Sequence, residues 1–207
     1  MTMTTVLEHF YIVLLSVIFS ILTGVPLGVC AYLYNPIRKL ILSIVEILQT
    51  IPAMALLGFI MVFLGAGKLT VIIGLVLYSL LPVVQNTCLG LCEVDPAVKE
   101  VAKGMGMTRF YRLIHVEMPI AFPLIFTGIR IATVTAVGVA VFATFVGGGG
   151  LGSTIYRGIH ISNMQMILSS TVALMLMAIL LDSIMSMIEK QLRRRFSTPQ
   201  KEERKLR

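Results

Sequence analysis

Five stretches of this chain are each long and apolar enough to cross a bilayer, and no soluble architecture has room for them. A transmembrane helix needs about 20 predominantly apolar residues, and residues 10–34, 40–64, 69–92, 120–146 and 164–188 each meet that requirement. The charges inside them are Glu46 in the second, Arg130 in the fourth and Asp182 in the fifth. Charged residues make up 13% of the chain, about half the share of a typical soluble domain. A soluble enzyme is thereby excluded, and the expected fold is an all-α membrane protein with five transmembrane helices. The first stretch does not read as a cleaved signal, because Glu8 and His9 but no Lys or Arg precede it, its apolar run is too long, and no small-residue cleavage site follows. Cys30, Cys88 and Cys92 all lie inside apolar runs and read as small packing residues rather than a disulfide framework.

Orientation follows from the cations. Membrane proteins concentrate Lys and Arg in their cytoplasmic connections. Here fourteen of the 17 fall on one side: Arg38 and Lys39 after the first stretch, Lys99, Lys103, Arg109 and Arg112 after the third, and eight more beyond the fifth. Lys68 and Arg157 face the other side. This division predicts an outside N-terminus, a cytoplasmic C-terminus and a basic cytoplasmic tail over 193–207 that meets water or the lipid surface. Such an excess of positive charge in a membrane chain is no nucleic-acid footprint.

The one sizeable cytoplasmic connection, 93–118, is patterned. Asp95 is placed to cap a helix with Pro96 at its first position, Gly104 and Gly106 to end it, and Thr108 to cap a second. Two short helices across the membrane face are expected. Written out, the segment reads Glu100-Val101-Ala102, three residues, Gly106, nine residues, Val116, one residue, Met118-Pro119. This resembles the Glu-Ala-Ala loop of permeases in bacterial ABC importers, with Val101, Val116 and Met118 as conservative departures. Gln49-Thr50-Ile51-Pro52, Tyr78-Ser79-Leu80-Leu81-Pro82, Gly128-Ile129-Arg130 and the glycine-rich run 147–152 extend the resemblance to permeases of osmoprotectant importers, the glycine betaine, carnitine and choline group. The resemblance implies a type I importer permease in a bacterial cell membrane. Its coupling loop would dock in a groove of a separate ATPase, with Asp95, Glu100, Ala102, Gly106, Arg109 and Pro119 as the coupling residues. Implied partners are a second permease, identical or paralogous, two ATPase subunits carrying the ATP and magnesium, and an extracellular substrate-binding protein. No cofactor is expected in this chain.

Other patterns lead nowhere. Gly147, Gly149 and Gly152 fit a dinucleotide-type spacing, but no soluble strand precedes them, and Ser153 stands where a phosphate loop needs Lys. A flexible turn at the outer mouth is the expectation. His9, His115 and His160 lack metal-ligand spacing, and the 13 methionines read as packing filler.

Placing Asp or Arg at a helix centre costs roughly 2.5–3.5 kcal/mol on insertion scales. Counting residues from the connections puts Glu46, Arg130 and Asp182 together in the cytoplasmic third, either as a structural pair of Arg130 with Asp182, or failing that Glu46, or as gate residues. Glu46, Gln49, Pro52, Arg130 and Asp182 are accordingly the candidates for the translocation path. Gly128, Ala132, Ala136 and Ala140 recur every four residues and form one ridge of small side chains that lets a second helix approach. Gly24 and Gly28 suggest another such contact, and the fourth stretch is expected to be central. Pro52 and Pro82 predict kinks. The chain lacks Trp, so an aromatic cage for a quaternary ammonium is not evident, and selectivity is expected mainly in the binding protein. The rival readings are a permease for another small solute such as an amino acid, a membrane-embedded enzyme, and a helical scaffold or channel.

Overall fold

The structure is a computed structural model that describes residues 2–196, and all of the regular structure among them is helical. In chain order the helices are α1 (Met3–Leu33), α2 (Asn35–Thr50), α3 (Ala53–Leu64), α4 (Lys68–Cys92), α5 (Pro96–Gly104), α6 (Arg109–Arg112), α7 (Met118–Val139), α8 (Leu151–His160) and α9 (Met164–Phe196). A π-helical turn, Leu113–Glu117, joins α6 to α7, and a 3₁₀ stretch, Ala140–Val146, prolongs α7. Of the expected basic tail, only 193–196 are described, as the end of α9; the remainder lies outside the described residues.

Four helical runs are long and apolar enough to cross a membrane, and α2 with α3 form a fifth as a pair bent by 99°. The stretch expected over 40–64 is thus broken at Pro52, where a kink was expected, and the bend is 99°. Pro52 has no N–H to donate, and its ring drives the preceding residue out of the helical region. Ile51 accordingly sits at φ −69°, ψ 127°. At Pro82 the outcome differs: α4 continues through it, and the Asn86 side chain donates to the Pro82 carbonyl at 2.8 Å.

Helix α4 shares the centre with α7, as expected for the fourth stretch: half of the apolar window of α4 and 44% of that of the run containing α7 are buried, against 6% for α9. Helix α4 is the more enclosed of the two. It packs against α1, α7, α2 and α3. Glycines permit this: a Cβ on Gly24 would meet Val83, and one on Gly28 would overlap Thr87 and the Val84 carbonyl. Gly90 lies against Ala121 and Gly128 against Pro82 and Asn86, so α4 and α7 run antiparallel in close contact. The ridge of Gly128, Ala132, Ala136 and Ala140 is fully buried, with Ala140 already in the 3₁₀ stretch. With lipid tails as apolar as the side chains, close backbone approach is what holds such helices together.

One end of the bundle carries α5 and is called here the loop end; the other carries Gly147–Gly152. That glycine turn is fastened rather than loose. Gly147, Gly149 and Gly150 have φ near +75°, the Gly150 amide donates to the Glu8 carboxylate at 3.1 Å, and Glu8 also meets Lys68 at 2.6 Å. The amphipathic helix α8 follows the turn; its ten residues are too few to span the membrane, and the sequence expectation assigned no element beyond the turn.

A β-branched side chain at Gly28 has no space. Gly28→Val should lower the stability of the purified protein by about 1–3 kcal/mol, read from thermal unfolding in detergent. Gly58, which faces open space, should tolerate Ala with unchanged or slightly higher stability.

Candidate coupling loop and intramembrane charge network

The loop begins as its residues dictate. Asp95 Oδ1 accepts the Ala97 amide at 2.8 Å and Pro96 opens α5. At the other end Gly106, at φ +81°, occupies the left-handed position. The Gly106 amide donates to Lys103 O at 3.0 Å and the Met107 amide to Ala102 O at 3.2 Å, the paired bonds of a glycine-terminated helix. Both ends of this nine-residue helix are thus closed without outside help. Its inner face holds Ala102, 4% exposed. Glu100, Val101 and Met105 face outward.

The second half of the expected loop is not a separate helix lying across the membrane face. Thr108 does cap α6, accepting the Tyr111 amide at 3.4 Å, but from Arg109 the chain runs as one 38-residue helical run to Val146. The π turn is the seam. The Met118 amide reaches back to Leu113 O, and Pro119 and Pro123 lack the donors that would regularise the following turns. Phe110, Tyr111 and Ile114 are exposed beside α5.

Cations fix this loop to the bundle by capping helix C-termini, where unpaired carbonyls and the helix dipole favour positive charge. Arg109 donates to Leu33 O at 2.6 Å and Arg38 Nε to Ala31 O at 3.0 Å, both at the end of α1. Lys99 donates to Leu91 O at 2.9 Å at the end of α4 and lies over the Tyr32 ring. Glu117, 1% exposed, accepts from Tyr32 Oη and from Arg112 Nε, each at 2.6 Å. Sequence reading missed Glu117, because a carboxylate within a charged connection looks solvated until the fold places Tyr32 and Arg112 on it.

A second network joins α7 to α9 at the side of the bundle, where the Arg130 and Asp182 side chains are 30% and 41% exposed. Arg130 grips Asp182 with two parallel bonds, Nε to Oδ1 at 2.7 Å and Nη2 to Oδ2 at 2.9 Å, the fork geometry that guanidinium and carboxylate share. Its third nitrogen reaches Glu189 at 3.0 Å, and Glu189 is also held by Thr127 at 2.8 Å and Arg193 at 3.0 Å. The expected pair of Arg130 and Asp182 is present; Glu189, outside the span as drawn from sequence, is the unforeseen member, since α9 continues as helix to Phe196.

Glu46 does not join them. It is exposed on α2, where Asn35, Arg38, Lys39, Leu42, Ser43 and Glu46 line an open cleft of about 540 Å³. The depth expected for the three charges also needs correction. Gly128 abuts Pro82, and Val45 packs with Leu80 and Val84, near the middle of α4. Arg130 and Glu46 therefore stand at mid-bundle rather than in one end third. Gln49 is partly buried one turn further along α2, and Pro52 forms the break.

The family described as binding-protein-dependent transport system inner membrane component matches residues 10–198. The chain belongs to that family. Within this inner membrane component family, it is 40% identical to the glycine betaine/carnitine/choline transport system permease protein OpuCD of Bacillus subtilis, over 89% of this chain and 81% of that one. It is 42% identical to the carnitine transport permease protein OpuCD of Listeria monocytogenes, over 89% and 83%. With the osmoprotectant import permease protein OsmW of Salmonella typhimurium the identity is 37%, over 88% and 87%. Its fold is similar to a chain of the MetNI methionine ABC transporter solved in inward-facing conformations, with TM-score 0.81 and 24% identity, covering 89% of this chain and 93% of that one. This chain is thus a multi-pass membrane transport component and not an enzyme.

Replacing Arg130 with Met leaves Asp182 without a cation. An uncompensated carboxylate at membrane depth costs roughly 2.5–3.5 kcal/mol on insertion scales, and because the pair is partly exposed thermal unfolding in lipid nanodiscs should show a loss of that size or less. The swap Arg130→Asp with Asp182→Arg should recover part of it, the remainder being the contact Glu189 loses. An Arg130→Met protein as stable as the parent would contradict the structural role.

Proposed function

We propose that this chain is the permease subunit of an ATP-driven importer of osmoprotectants of the glycine betaine, carnitine and choline kind. It would form the translocation path with a second permease, identical or paralogous, and α5 would dock a separate ATPase subunit that carries ATP and magnesium. Two copies of the ATPase and an extracellular binding protein complete the assembly in this reading. The observation that carries it is the geometry of α5: a rigid, doubly capped helix offers Glu100, Val101 and Met105 outward while Lys99 and Arg109 tie the loop to the ends of α4 and α1. A push on α5 therefore reaches two membrane helices at once. The substrate class rests on the relatives named above.

The orientation has its own support. Arg38, Lys39, Lys99, Lys103, Arg109, Arg112 and the basic end of α9 gather at the loop end, and Lys68 and Arg157 at the glycine-turn end. The bias in Lys and Arg favours a cytoplasmic loop end. In a variant with the three native cysteines replaced, Met105→Cys should stay unlabelled by an impermeant thiol reagent applied to whole cells, and Ile161→Cys should react. The opposite pattern would reverse the orientation and remove α5 from the ATPase.

Coupling is tested at Gly106. A β-branched side chain in the left-handed region costs about 1–2 kcal/mol, enough to displace the end of α5. With Gly106→Val in the reconstituted importer, ATP-dependent glycine betaine uptake should fall about tenfold while the permease still inserts. Unchanged uptake with normal ATPase assembly would refute α5 as the coupling element.

A further inference from the structure

The cleft along α2 is a charged surface that, apart from Arg38, neither the coupling loop nor the Arg130 network uses. Asn35, Lys39, Ser43, Glu46 and Gln49 recur at intervals of three and four along α2, so they form one stripe. The adjoining side of the helix packs through Val45 on Leu80 and Val84. The stripe therefore runs from the loop end to mid-bundle and stops at the 99° break before α3. A polar stripe at that depth cannot face lipid, and a carboxylate there is expensive unless it meets water or a partner. Among the described residues neither Lys39 nor Glu46 has an ion-pair partner within 4.0 Å. The guanidinium of Arg38 is committed to the carbonyls of Ala31 and Tyr32.

We propose that this stripe is a carrying site for a zwitterionic quaternary-ammonium solute, with Glu46 facing the ammonium and Lys39 binding the carboxylate. Seven residues separate the two, about 10 Å along the axis on nearly the same face. Two long flexible side chains narrow that gap to the few ångströms between the charges of a betaine. A quaternary ammonium has no hydrogen to donate, so Glu46 attracts it by charge alone, whereas Lys39 gives the carboxylate a charge-assisted hydrogen bond. Choline, with a hydroxyl in place of the carboxylate, would use Glu46 and leave Lys39 unused. The site is open and carries one charge of each sign, which suits a solute that must leave as readily as it enters. The inference rests on the osmoprotectant reading above and adds to it where in this chain the solute is handled.

The test is uptake by the complete importer in proteoliposomes, with radiolabelled glycine betaine and choline measured in parallel. A charge-assisted hydrogen bond contributes roughly 1.5–3 kcal/mol, so Lys39→Gln should lower glycine betaine transport about tenfold or more and leave choline within about twofold. Glu46→Gln should depress both, with Glu46→Asp restoring part of each. Equal losses of both solutes in Lys39→Gln, or an unaltered Glu46→Gln, would overturn the site. Where Glu46→Gln fails to assemble, the betaine-to-choline ratio of Lys39→Gln decides alone. A parent importer that moves neither solute, yet assembles and hydrolyses ATP, would instead defeat the osmoprotectant reading itself.

Discussion

An amide or carbonyl left unpaired in hydrocarbon costs several kcal/mol, so a chain in a bilayer must stay helical except where other groups take over its backbone bonds. Each departure from helix here can be read against that demand. At the break between α2 and α3 the Leu56 amide donates to the Pro52 carbonyl at 3.0 Å. Where α1 and α4 end, Arg38, Arg109 and Lys99 complete the exposed carbonyls. The same cations that finish these helices belong to the loop and to the start of α2. Helix termination and the attachment of α5 are therefore one set of contacts, and the loop cannot shift without disturbing the ends of α1 and α4.

Close approach of backbones is the second determinant. Gly24 and Gly28 seat α1 on α4, and Gly90 and Gly128 seat α4 and α7 together, giving a three-helix centre with little freedom to slide. Helix α9 is joined differently, through the grip of Arg130 on Asp182 and Glu189, and most of its surface is open. A rigid centre with a peripheral helix held by directional ionic bonds suits a subunit that moves as a block. At the glycine-turn end, Glu8 ties the start of α1 to Gly150 and Lys68, so the block is closed at both ends.

Much of this was readable from residues alone, and the failures have physical causes. The apolar runs, the Asp95 cap, the Gly106 terminus and the small-residue ridge are local patterns, and local patterns survive into the fold. Pro52 signalled a disturbance, but the size of the bend depends on what α3 packs against. Glu189 and Glu117 were invisible because each sits in a charged stretch, and beside the local Arg193 and Arg112 their defining partners are 59 and 85 residues away. The central place of α4 was obscured because its buried residues, Ser79 and Thr87 among them, form no ridge as regular as the one on α7. Depth was misjudged by counting from presumed span ends, whereas Val45 against Leu80 measures it directly.

In the proposed importer, α5 is the contact through which the ATPase moves the membrane helices. Amide hydrogen exchange of the permease in nanodiscs, with and without its ATPase subunit, measures this at residue level. Protection should rise at 96–106 and along the exposed 110–114 segment, with residues 147–153 at the far end unchanged. Protection confined to the glycine-turn end, or none at 96–106 despite a stable complex, would contradict it.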